Sequence, residues 1–154
     1  MKEHTFESVL VGLFGTLPLF SPCTWKTILI SSRDVADIVF ARVGEVQLGL
    51  DVYLPKASIP VPAVILIHGG YWQGGNKQSY QRLANRMMLL GYAAFAINYR
   101  LAPDFPFPAA VEDVQCAVAW VREHADEVSV DPVRIALLGT WQCWSAWRVL
   151  ERSD

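Results

Sequence analysis

The sequence predicts an α/β architecture: an antiparallel hairpin leading into a mostly parallel sheet with flanking helices. Three observations carry this. The run Val64-Ile65-Leu66-Ile67 is apolar without alternation, as a strand covered on both faces requires. Upstream, Val46, Leu48, Leu50, Val52 and Leu54 alternate with Gln47, Gly49, Asp51 and Tyr53, the period of a half-covered strand. Downstream, apolar strands alternate with segments of helical period, which implies crossovers and parallel pairing.

In chain order, residues 1–36 form an amino-terminal extension. Its stretch 9–20 is apolar and uncharged but broken by Gly12, Gly15 and Pro18. That is the length of a signal-peptide core. Against export, Lys2 is offset by Glu3, no small-x-small cleavage site follows, and Pro22 spoils Cys23 as a lipoprotein site. A cytoplasmic location is favoured, with secretion or anchoring through residues 8–31 as the alternative. Residues 37–42 and 46–54 read as the hairpin, joined at Val43-Gly44-Glu45. After a Pro/Ser loop comes the 64–67 strand, which runs directly into Gly69-Gly70. Glycine there lets a backbone approach a ligand with no Cβ in the way.

Residues 78–90 read as a helix with Tyr80, Leu83, Ala84, Met87 and Met88 on one core-facing side. Gly91 is placed to end it in a left-handed cap. Residues 92–97 are the next strand. Pro108 suits the first position of a second helix, whose apolar face is Val111, Val114, Ala117, Val118 and Val121. Glu112 and Asp113 fall in its first turn, where they complement the helix dipole, and His124 at its end is expected to be solvated or dipole-related. Asp131-Pro132 makes a turn before a third parallel strand, 134–138, ending at Gly139.

Bulk properties narrow the function. Hydrophobic residues make up 53% of the 154-residue chain, room for about one domain with a core. Thirteen basic against fifteen acidic residues leave a net charge of −2 and no basic patch, which argues against a nucleic-acid partner. Cys23, Cys116 and Cys143 are odd in number and lack ligand spacing, so neither a disulfide framework nor a zinc site is expected.

His68-Gly69-Gly70-Tyr71-Trp72 looks like the HGG-type oxyanion loop of α/β-hydrolase esterases and lipases. It is followed at family spacing by Asn98-Tyr99-Arg100-Leu101-Ala102-Pro103, Phe107-Pro108-Ala109-Ala110, Glu112-Asp113, and Asp131-Pro132-Val133-Arg134-Ile135-Ala136-Leu137-Leu138-Gly139. Residues 37–139 therefore resemble the amino-terminal half of the fold, in the carboxylesterase branch that includes feruloyl and acetyl-xylan esterases. The resemblance implies that Gly69, Gly70 and Tyr71 belong to an oxyanion hole and that His68 and Trp72 shape its loop. It implies a small-molecule or polysaccharide-linked carboxylic ester as substrate, with no metal or organic cofactor.

The family's nucleophile elbow, Gly-x-Ser-x-Gly, should follow the last strand. This sequence reads Gly139-Thr140-Trp141-Gln142-Cys143 there. Trp141 occupies the serine position, and an indole cannot attack an ester. Bulky residues also resist the positive φ of that turn. The family's acid and histidine come after the elbow, whereas His4, His68 and His124 all precede it. Cys143 as a substitute nucleophile is disfavoured by its offset and by the lack of a following histidine.

The segment 140–154 holds Trp141, Trp144 and Trp147, half of the six tryptophans. One reading is a helix with an aromatic face for packing or a membrane interface. The favoured reading is a slipped frame. Tryptophan's codon, TGG, read one base later begins GG, which encodes glycine. Trp141-Gln142-Cys143-Trp144 then becomes Gly, Ser or Asn, Ala or Val, and Gly. That set contains Gly-Ser-Ala-Gly, a fitting elbow. On this reading the chain is inactive as written. The non-enzymatic alternative is a fragment that self-associates through an exposed sheet edge at residues 134–138.

Overall fold

The computed structural model describes residues 34–139, with side chains from residue 37. The extension and the tail, with Trp141 and Cys143, lie outside the described residues. Five strands form one mixed sheet: β1 (Asp34–Val43), β2 (Val46–Tyr53), β3 (Val61–Ile67), β4 (Ala93–Ile97) and β5 (Val130–Gly139), in the order β1-β2-β4-β3-β5. β1 and β2 are the antiparallel hairpin, β2 also runs antiparallel to β4, and β3 is parallel to both β4 and β5. This is the amino-terminal part of an α/β-hydrolase fold.

The apolar run of β3 is continuous because both of its faces are covered. Ala63, Ile65 and Ile67 join Leu48, Leu50, Val52, Phe95 and Ile97 in the larger core, under Val114, Ala117, Trp120 and Val121 of helix α2 (Ala109–Glu123). Val64 and Leu66 join Tyr53, Ala94 and Ala96 on the other face, under Ala84 of helix α1 (Gln81–Leu89). Leu83, Met87 and Met88 pack on that cluster, so the methionine stripe is core, as its spacing predicts. Gly91 closes α1 at φ +88: its N–H donates to Met88 O (3.0 Å) and that of Tyr92 to Met87 O (3.1 Å). That pair of bonds is the Schellman cap.

Several expectations change in detail. The alternation in β2 holds only for its first half, because Asp51 and Tyr53 are buried beneath the α1 side. β1 starts at Asp34 and β5 at Val130, both earlier than predicted. The β3–β5 register breaks between Val61 and Ala63, which pair with Val130 and Ile135, so β5 carries three extra residues there, around the predicted Asp131-Pro132 turn. Pro108 caps α2 instead of opening it. His124 is buried, stacked on Trp120 at 4.2 Å with Nδ1 2.8 Å from Trp120 O, so it is not solvated. Cys116 is buried in the larger core.

Candidate active site

The site is built where β3 and β4 end side by side. Ile67 pairs with Ile97, so the segments that follow both strands emerge as neighbours at the carboxyl edge of the sheet. On the other side Ile67 pairs with Gly139, which brings the end of β5 to the same edge. In doubly wound sheets that edge is where ligands bind.

His68 follows β3 directly and is almost fully buried. Its ring stacks on Tyr99 with centroids 4.3 Å apart, and Nδ1 lies 3.0 Å from Gly69 O. Burial pulls its pKa below the ordinary imidazole value, partly opposed by the Gly69 carbonyl. The Tyr99 hydroxyl donates to His68 O at 2.6 Å. Gly70 takes φ +132, and its carbonyl accepts from the N–H groups of Gln73 (3.0 Å) and Gly74 (3.1 Å). A Cβ on Gly70 would lie 2.2 Å from Gly74 O, so the turn excludes any side chain there. Gly75 closes the loop just as tightly: a Cβ there would lie 2.4 Å from Gly69 O.

Tyr71 and Trp72 both lie in the left-handed region, at φ 54 and 62. For aromatic residues this is a strained backbone, of order 1–3 kcal/mol each. The Tyr71 side chain points to solvent, whereas Trp72 packs edge-on against Tyr99 at 5.5 Å. Trp72 therefore lines a small apolar cleft with Arg100, Ala102, Phe105 and Phe107. Among the described residues, the N–H groups of Gly69, Gly70 and Tyr71 donate to no protein acceptor.

Two buried ionic clusters support this edge. The Lys77 ammonium is enclosed between Asp51 and Asp37, with Nζ 2.6 Å from Asp37 Oδ1. Burial pushes its pKa down, but hydrogen bonds to and charges on both carboxylates outweigh that and hold it above the ordinary lysine value. Arg100 donates through Nε to Asp113 (2.9 Å) and through Nη2 to Glu112 (3.0 Å) and Ala109 O (3.1 Å). Hydrogen bonding to Asp113 is the main cause of its raised pKa. Asp113 is fully buried, so its role is to neutralise Arg100, a stronger demand than the helix dipole expected from sequence.

Lys77, Asp51 and Asp37 escaped sequence reading because they are dispersed along the chain. A lysine flanked by polar residues and an aspartate on an alternating strand both read as solvated. Asp113 had a visible signal: it follows an arginine that leaves an apolar strand and sits in a helix otherwise buried on that side. Among the described residues no group of His, Cys, Asp or Glu is arranged to hold a metal ion, and no helix is long and apolar enough to cross a membrane.

The sheet order and the glycine turn at its carboxyl edge are those of the amino-terminal part of an α/β-hydrolase. Within that fold the chain belongs to the BD-FAE family, whose model matches residues 50–142. It is 40% identical over 99 residues to the carboxylesterase NlhH of Mycobacterium tuberculosis, covering 62% of this chain and 31% of that protein. It is 35% identical over 113 residues to the esterase LipQ of the same organism, covering 70% of this chain and 26% of that protein. Among solved structures it resembles the thermophilic esterase Est2 of Thermogutta terrifontis, with a TM-score of 0.64 and 29% identity over 70% of this chain and 40% of that one. The chain thus spans less than a third of the length of these two curated relatives.

Proposed function

We propose that residues 68–72 are the oxyanion-binding half of a serine carboxylesterase site, and that the 154-residue chain does not itself hydrolyse esters. The observation that carries the first part is the set of unengaged N–H groups at Gly69, Gly70 and Tyr71, beside the end of β5. Donors fixed before the reaction stabilise a developing oxyanion without reorganising, and removing one from such a hole costs about 10²–10³ in rate. Two aromatic residues at positive φ fit this reading, since strain of that kind gathers at functional turns.

The second part rests on Trp141 at the position of the attacking serine. Without the nucleophile, only weak residual acceleration from binding and the hole remains. A frame slip near Thr140 accounts for that tail. Short-chain or aromatic carboxylic esters, free or polysaccharide-linked, are the substrate class for the intact site. A fluorophosphonate probe tests the pair of claims: intact-mass spectrometry should find no adduct on this chain, and the coding DNA should hold Gly-Ser-Ala-Gly in the neighbouring frame. A stoichiometric adduct on a serine, or a neighbouring frame without that motif, contradicts the account.

A second reading has an observation of its own. β5 lies at the edge of the described sheet, with Val133 86% exposed and Leu138 38% exposed. An apolar edge strand invites pairing with another chain, so self-association follows. Sedimentation of a single monomer at high concentration would rule this out.

A further inference from the structure

We propose that Asn98 and Tyr99 are positioning residues that clamp both ends of the 68–77 loop, with Arg100 tying the clamp to α2. The three are consecutive, yet each serves a different part of the edge. Asn98 is anchored to β2 by its N–H, which donates to Gly49 O at 2.9 Å. Its Oδ1 accepts the Lys77 N–H at 2.8 Å, fixing the far end of the loop. Tyr99 holds the near end, through its hydroxyl on His68 O (2.6 Å) and its ring beneath the His68 imidazole. The same ring meets Trp72, whose carbonyl accepts the Ala102 N–H at 2.7 Å. Arg100 donates its backbone N–H to Asp113 Oδ2 at 2.7 Å, which fixes the clamp to a helix buried in the larger core.

The loop needs such restraint. Gly70, Tyr71, Trp72 and Gly75 all take positive φ within a few residues. A backbone so far from its relaxed state persists only where its surroundings over-determine it. Bonds within the loop, from Gln73 and Gly74 to Gly70 O, close the turn but do not fix its orientation to the sheet. The Asn98 and Tyr99 contacts are what fix the direction of the Gly69–Tyr71 N–H groups.

The purpose of that direction rests on the oxyanion reading above; the clamp does not. Amide hydrogen exchange on the full chain separates the two, because it needs no substrate. Tyr99→Phe keeps the ring stack and removes only the bond to His68 O. Asn98→Ala removes the acceptor for Lys77, and Asn98→Asp restores one. Tyr99→Phe and Asn98→Ala should each speed exchange at Gln73, Gly74 and Ala102 about tenfold, roughly what one net hydrogen bond supplies. Exchange at Ile65 and Phe95 should stay unchanged, and Asn98→Asp should keep wild-type protection. Unchanged exchange in the loop of Tyr99→Phe overturns the clamp. So does acceleration shared equally by loop and sheet, which would mark a merely structural role. Esterase turnover with a normal clamp, or its absence with a normal clamp, bears only on the oxyanion reading.

Discussion

The 68–77 loop, which leaves the end of β3, and strand β5, which pairs beside β3, are built in opposite ways. On the loop side His68, Lys77, Asp51 and Asp113 are buried polar groups, and each has a named partner. On the β5 side the residues are mostly exposed, with Val133 and Leu138 among the large apolar side chains open to solvent. The buried polar side chains of the loop side are thus paired, whereas the β5 side presents exposed apolar side chains. Equal substitutions should therefore cost very different amounts on the two sides.

The largest contrast is expected at the buried ion pair. Asp113→Ala leaves the buried Arg100 with the half-exposed Glu112 carboxylate and the Ala109 carbonyl, and without its buried counter-charge. Losing one partner of a buried pair costs about 3–5 kcal/mol. A urea midpoint that barely moves would erase the distinction between the two sides. Gly70→Ala comes next, because its Cβ would be driven into the Gly74 backbone at a φ that L residues avoid. Strain of that kind is of order 1–3 kcal/mol, and it should show in the loop amides before the sheet. A normal loop in the Ala variant would mean that the turn is looser than its geometry implies.

The pH dependence is smaller and has a definite sign. His68 has a folded pKa below 6.5, so its neutral form is the one the fold accommodates. Above 6.5 its contribution to stability is fully present. As pH falls from 6.5 through the lowered folded value, the unfolded chain takes up the proton first and that stability is lost. Urea midpoints for wild type and His68→Gln across that window should converge as pH falls; parallel curves would show that burial at His68 carries no linkage. Smallest of all is Val133→Lys on β5, which should change stability by within about 0.5 kcal/mol while reducing self-association. A large loss of stability there would show that β5 is less exposed than its accessibility implies.

Much of the scaffold was legible because burial leaves a period in the sequence. The 64–67 run, the methionine stripe and Gly91 each encode a local physical need, and each fell where its pattern placed it. The loop's position was legible for the same reason, since Gly69-Gly70 ends a doubly covered strand. What holds the loop was not. Lys77 meets Asp37 and Asp51 only after the sheet assembles, and Tyr99 reaches His68 across parallel strands. Sterics also proved a weaker guide than expected: Tyr71 and Trp72 accept the positive φ that bulk alone argues against. The objection to Trp141 as part of an elbow therefore rests on chemistry, since an indole lacks a nucleophilic oxygen, more than on backbone shape.

The central claim is that the chain carries the groups that receive negative charge but not the group that delivers the attack. Steady-state turnover of p-nitrophenyl acetate by the purified 154-residue chain tests it most directly. The account predicts a rate indistinguishable from buffer at every protein concentration. Hydrolysis that scales with protein and disappears in the Gly70→Ala variant would contradict it.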